Sequence, residues 1–251
     1  MNNETLFRGL LRLADDHLIL GQRLSEWCGH APNLEEDLAL SNIALDLIGQ
    51  ARALYTWAGE AEGKGRSEDD LAFLRLERDY VNLQLCEISN QDFAFTVLRQ
   101  LAFSLYMRNF WEKATLSVDE RLSGIAAKAV KESTYHTRHC AEWVIRLGDG
   151  TEESQSRMIE AIERLTPYWG ELFDDDEVFI ELADAKIMPL PSSMRSAWLK
   201  EMQVIFNEAC LTLPEIELIL SGGRKGLHTE EMGYLLSELQ FMQRTYPNMS
   251  W

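Results

Sequence analysis

Basic residues are scarce in this chain: 24 Lys and Arg stand against 41 Asp and Glu, a formal net charge of −17. Such a field repels a phosphate backbone instead of releasing its counterions, which excludes nucleic-acid binding as an expectation. An anionic thioester would meet the same field unless a local basic patch or a partner chain held it. Cysteine is sparse too. Cys28, Cys86, Cys140 and Cys210 form no CxxC pair, fit neither a zinc site nor a redox couple, and read as buried, reduced thiols. No run of about eighteen apolar residues is present, so no membrane span is expected. The opening MNNETLFRGL has no apolar segment behind a basic flank, and a soluble cytoplasmic protein is the expectation.

Strict alternation of apolar and polar residues is almost absent, whereas apolar residues recur every three or four positions over long stretches. That period belongs to α-helices. Helices are predicted near residues 5–29, 33–62, 68–88, 91–116, 118–148, 151–173, 192–212 and 229–246, with only short runs such as Val178 to Leu182 able to be extended. Asn33 before Glu36 and Ser117 before Glu120 have capping-box spacing, Ser67 and Thr151 open first turns, and Gly29, Gly63 and Gly148 stand where helices should stop. Four of the predicted helices run to about twenty-five residues or more, well beyond the usual mean of roughly eleven, and this favours a bundle. The fold class expected is all-α: a single ferritin-like domain over residues 1–251, with core helices in about 5–148 and additional C-terminal helices in 151–246.

A ferritin-like di-metal site takes a carboxylate from each of two helices and a Glu-x-x-His pair from each of the other two. The first helix offers His17 at the centre of the stripe Leu6, Leu10, Leu13, His17, Leu20 and Leu24, with Asp15 and Asp16 beside it. The second offers Leu47 and Gln50 at the pair positions, and the segment from Phe93 to Trp111 contains no acid. The fifth offers Ser133 and His136, with Glu132 about a hundred degrees around the helix. Two histidines without an anionic oxygen hold iron poorly. The positions His17, Leu47, Gln50, Ser133 and His136 therefore read as the relict of a metal site, their polar members hydrogen-bonding one another or water. No catalytic, cofactor-binding or metal-binding residue is expected in this chain. The rival reading is an autonomous ferritin-like metal-dependent oxidase with a nonstandard shell around His17, His136 and Glu132.

Three segments carry a resemblance: RLSEWCGHAPNLEEDLALSNIALDLIGQAR (23–52), KESTYHTRHCAEW (131–143) and SGGRKGLHTEEMGYLLSELQFMQR (221–244). They resemble the ferritin-like structural C subunits of phenylacetyl-CoA ring epoxidases, enzymes of aerobic phenylacetate catabolism. The resemblance implies a heterocomplex in which a homologous A subunit holds the di-iron centre and epoxidises the ring, a small B subunit is also a partner, and this chain stabilises A. Members with a working centre have Glu-x-x-His where this chain has Leu47-Ile48-Gly49-Gln50 and Ser133-Thr134-Tyr135-His136. By analogy with related oxygenase subunits, the helices at 5–29 and 33–62 are the expected pairing face.

Each singled-out residue also has a plainer reading. His17 and His136 on apolar faces can be satisfied core histidines, while His30, His139 and His228 read as solvent-facing or capping residues. The cluster around Asp79, Tyr80, Val81 and Asn82 reads as a half-covered helix face; the resemblance alone implies that it approaches a CoA thioester at the boundary between A and C. Arg224 and Lys225, set among glycines, either turn the chain or present N–H groups and cations to a phosphate. The acidic run Asp174 to Glu177 reads as a solvated bend.

Overall fold

The computed structural model describes residues 2–247 and 249, and no strand occurs among them. The helices are α1 (Asn3–Ser25), α2 (Leu34–Glu62), α3 (Glu68–Phe73), α4 (Gln84–Glu87), α5 (Phe93–Ala114), α6 (Glu120–Gly148), α7 (Glu152–Trp169), α8 (Glu177–Asp184), α9 (Arg195–Glu208), α10 (Glu230–Leu239) and α11 (Phe241–Thr245). The chain divides into two compact units, one made of Met1–Ser89 with Ser221–Trp251 and the other of Asn90–Leu220.

In the first unit α1 and α2 form an antiparallel hairpin. Gly21 packs against Ala44, Leu47 and Ile48, and Tyr55 reaches back to Asp15. The predicted stripe of α1 is buried throughout, as are Leu40, Ile43, Leu47 and Leu54 on the facing side of α2. Each such leucine is worth about 1.5–3 kcal/mol relative to an exposed one. Asn33 caps α2 by accepting from the Glu36 amide at 3.0 Å, and Gly63 ends that helix in the left-handed conformation.

The expected helix over 68–88 is broken. Ser67 and Asp70 close a capping box, α3 lasts six residues, a 3₁₀ turn follows at Glu77–Asp79, and Tyr80 to Leu83 is extended before α4. The reason is tertiary: the amides of Val81 and Leu83 donate to the carboxylates of Asp15 (2.8 Å) and Asp16 (2.7 Å) on α1. Amides two residues apart face one way only in an extended chain.

In the second unit α5 runs antiparallel to α6, with Phe93 edge-on to Trp143 at 5.0 Å and the Ser123 hydroxyl donating to the Thr115 carbonyl. Trp169, Trp198, Phe206, Phe173 and Tyr106 form a buried aromatic cluster, and Trp198 Nε1 donates to the Ala102 carbonyl on α5. Val178 to Leu182, read as possibly extended, is helical in α8 because Asp176 accepts from the Val178 and Phe179 amides. The cap of α6 is Asp119, not Ser117, whose hydroxyl instead accepts from the Asp119 amide. Cys86 and Cys140 are buried, but Cys28 and Cys210 are exposed, contrary to expectation; both stand just past helix ends, where little packs over a short side chain. No disulfide is present among the described residues.

Candidate functional site

The positions read from sequence as a relict metal site fall in different units. His17, Leu47 and Gln50 lie in the first, on α1 and α2; Ser133 and His136 lie in the second, on α6. All five are buried. His17 Nδ1 donates to the Leu13 carbonyl one turn back at 2.6 Å. Glu132, beside the buried face of α6, is paired with Lys128 at 3.3 Å. None of the five side chains is a carboxylate, the oxygen donor that iron favours. Among the described residues no three His, Cys, Asp or Glu side chains gather as a metal site requires.

The densest chemistry lies elsewhere in the first unit, in groups that sequence patterning placed outside the metal site. Asp15 and Asp16, successive residues of α1, are fully buried. Asp15 accepts from both terminal nitrogens of Arg75, from the Tyr55 hydroxyl (2.5 Å) and from the Val81 amide. Asp16 is gripped by Arg224, whose terminal nitrogens lie 2.7 and 3.0 Å from its two oxygens. Burial pushes the Asp16 carboxyl up to about 6, against the opposing pull of Arg224. Burial also raises the Tyr55 phenol well above its ordinary value, with Asp15 adding to the effect. Arg75 would be lowered by burial, but Asp15, together with Tyr55 and Tyr80, outweighs that and raises it.

Residues 221–247 lie across this network as a strap. Arg224 also donates to the Val81 carbonyl (2.8 Å) and the Arg12 carbonyl (3.2 Å). Gly223 packs so closely on Asn82, and Gly226 on Arg78, that a Cβ at either would be driven into a backbone carbonyl oxygen. His228, read as solvent-facing or capping, has a fully buried side chain: Nδ1 meets Glu87 at 2.7 Å and Nε2 meets the Tyr80 carbonyl at 3.0 Å. A carbonyl only accepts, so Nε2 carries hydrogen. Glu87 also accepts from Asn82 Nδ2 and the Thr229 amide. Burial alone would lower the His228 pKa, but the hydrogen bond and charge of Glu87, together with the Tyr80 carbonyl and Glu77, outweigh it and the net shift is upward. Farther along, Gln240 donates to the Arg75 carbonyl and the Tyr80 hydroxyl, and Arg244 to the Arg75 carbonyl.

The structure thus brings together the two groups that sequence singled out for substrate contact. Tyr80 and Asn82 are buried, Tyr80 with its hydroxyl on the Ala72 carbonyl and Asn82 with its amide on Glu87. Arg224 is committed to Asp16 and two carbonyls. Asp79, Val81 and Lys225 keep access to solvent, Asp79 accepting from the Leu76 amide at 3.0 Å. The available signal for the network was a pair of acids inside the apolar run Leu13-Ala14-Asp15-Asp16-His17-Leu18-Ile19, a place where unpaired charge is costly.

Long amphipathic helices carrying buried polar positions on their inward faces define an all-α chain of the ferritin-like class. The model of the phenylacetic acid catabolic protein family matches residues 1–251, and the chain belongs to that family. It is 45% identical over 251 residues, covering 100% of both chains, to a protein of Escherichia coli K12 named as the C subunit of 1,2-phenylacetyl-CoA epoxidase. No helix among the described residues is long and apolar enough to cross a membrane.

Proposed function

We propose that this chain is the structural C subunit of a phenylacetyl-CoA epoxidase: it does no chemistry itself, but pairs with and stabilises a di-iron catalytic A subunit in a complex that also contains a small B subunit. The observation that carries this reading is 45% identity, over the full length, to a protein named as the C subunit of that epoxidase. The non-catalytic half rests on donor chemistry, since Leu47, Gln50 and Ser133 stand where a working centre needs glutamate, histidine and glutamate, and their neutral side chains cannot balance the charge of two irons. The CoA thioester is proposed to lie at the A/C boundary. On this chain its contacts would come from Asp79, Val81 and Lys225, the solvent-accessible members of the substrate-contact set, with Tyr80, Asn82 and Arg224 holding that surface in place.

The test is elemental analysis and turnover of the purified chain with and without the A subunit, with phenylacetyl-CoA and a reductant supplied. Iron and oxygen-dependent epoxidation are expected only when A is present. Near-stoichiometric metal and turnover by this chain alone would establish the autonomous oxidase instead.

A further inference from the structure

α2 is apolar on two faces. Its inner face is covered within the hairpin, but Leu34, Leu38 and Leu45 on the outer side are 70%, 55% and 65% exposed. Leu34, Leu38, Ser41, Leu45 and Ile48 follow one another at spacings of four, three, four and three, the average of 3.5 that keeps a seam turned toward a second helix crossing at about 20°. Gly49, one residue beyond, has open space around it, so a partner backbone can come close. The seam runs into a cleft of about 330 Å³ lined by Leu18, Ile48, Ala51, Tyr55, Ala72 and Phe73, large enough for a bulky apolar side chain.

The rim of this surface is acidic. Glu35, Asp37 and Asp46 flank the leucines, and Glu68 and Asp69 border the cleft. The helix's one basic residue, Arg52, is already paired with Glu68 at 2.7 Å. A second copy laid antiparallel along the seam would set Glu35 and Asp37 near Glu68 and Asp69, acid against acid. A helix whose apolar stripe is flanked by lysine and arginine meets complementary charge at both ends.

We propose that the outer face of α2 from Leu34 to Ile48, with the adjoining cleft, seats an amphipathic, basic-flanked helix of the catalytic subunit. This rests on the pairing reading above and names its surface. Exposed leucines at 3.5-residue spacing supply the apolar core, a large side chain of the partner fills the cleft, and the acidic rim selects a basic partner over a second copy of this chain.

The experiment measures binding of the full-length chain to the catalytic subunit by titration, with light scattering for stoichiometry. The double substitution Leu38→Glu with Leu45→Glu is expected to weaken pairing by about tenfold or more, while its far-UV circular dichroism and melting temperature match the parent because both side chains already face water. Leu38→Met with Leu45→Met should retain affinity, and Glu35→Lys with Asp37→Lys should reduce it. Leu116→Glu with Val118→Glu, at sites 84% and 64% exposed in the other unit, should leave it unchanged. If the parent pairs and the Leu38/Leu45 glutamate variant pairs equally well, this inference alone is overturned. If the parent self-associates and that variant abolishes self-association, a second copy is the occupant and the inference is wrong. A parent chain that ignores the catalytic subunit overturns the pairing reading and this inference with it.

Discussion

Asp15 and Asp16 sit side by side in a buried turn of α1, each neutralised by a different arginine. A buried carboxylate that loses its guanidinium keeps the full desolvation cost, so Arg75→Met is expected to destabilise the fold by about 3–5 kcal/mol, read as a fall in the urea midpoint. The double variant Asp15→Leu with Arg75→Met should recover part of that loss, because no uncompensated charge remains. His228 gives a pH-dependent counterpart. Its folded-state pKa lies above the ordinary 6.5, so the folded chain keeps its proton to higher pH than the unfolded chain does. The stability this supplies is fully present below about pH 6.5 and is lost as pH rises through the raised value. Thermal melts of His228→Asn should therefore differ most from the parent near pH 6 and progressively less toward about pH 9; a difference that grows with pH would contradict the pairing described. These residues were hard to read in sequence because a histidine before a helix start and two acids inside a helix have the same spacing whether solvated or buried. Their partners lie as far as 208 residues away, which no local pattern reveals.

At the scale of elements, most of the helices were legible. α1, α2 and α6 have stripes that persist for many turns, α5 is long and buried almost all round, and the caps are chemical: Asn33 and Gly63 act where their residue types predict. The failures came where long-range hydrogen bonds override local preference. Residues 68–88 have apolar spacing compatible with one helix, yet two carboxylates of α1 draw Val81 and Leu83 into an extended run. Val178 to Leu182 failed in the other direction, its helix being set by Asp176, an acid sequence assigned to a solvated bend. The strap depends on close approach. Gly226 has φ of 69° and no room for a methyl group, so Gly226→Ala should destabilise by more than about 1 kcal/mol and loosen residues 221–247. Hydrogen exchange should show faster exchange of the Gly226 and Leu227 amides, which donate to the Gly223 and Gly222 carbonyls, with the core of α5 unaffected.

For the whole molecule, the net charge of −17 is distributed on a chain whose proposed work is association. Pairing with a basic partner face should weaken as salt rises from about 0.1 M to about 1 M, over which screening shortens from roughly 10 Å to roughly 3 Å. The loss should appear mainly in the association rate, measured by surface-immobilised binding kinetics. The proposed relict of a metal site rests on which residue types occupy fixed helical positions, and those are visible without coordinates.

The strap has a consequence for synthesis. Asp16 leaves the ribosome long before Arg224, and Glu87 well before His228, so the first unit is made with two carboxylates whose cations do not yet exist. A chain emerging N-terminus first can form the α1–α2 hairpin and join Arg75 to Asp15, but it must hold the rest of that unit open while residues 90–220 are translated. Completion of the N-terminal half is thereby timed to the arrival of the C-terminus, and a nascent chain stalled before residue 221 would lack the partners of Asp16 on α1 and of Glu87 in α4.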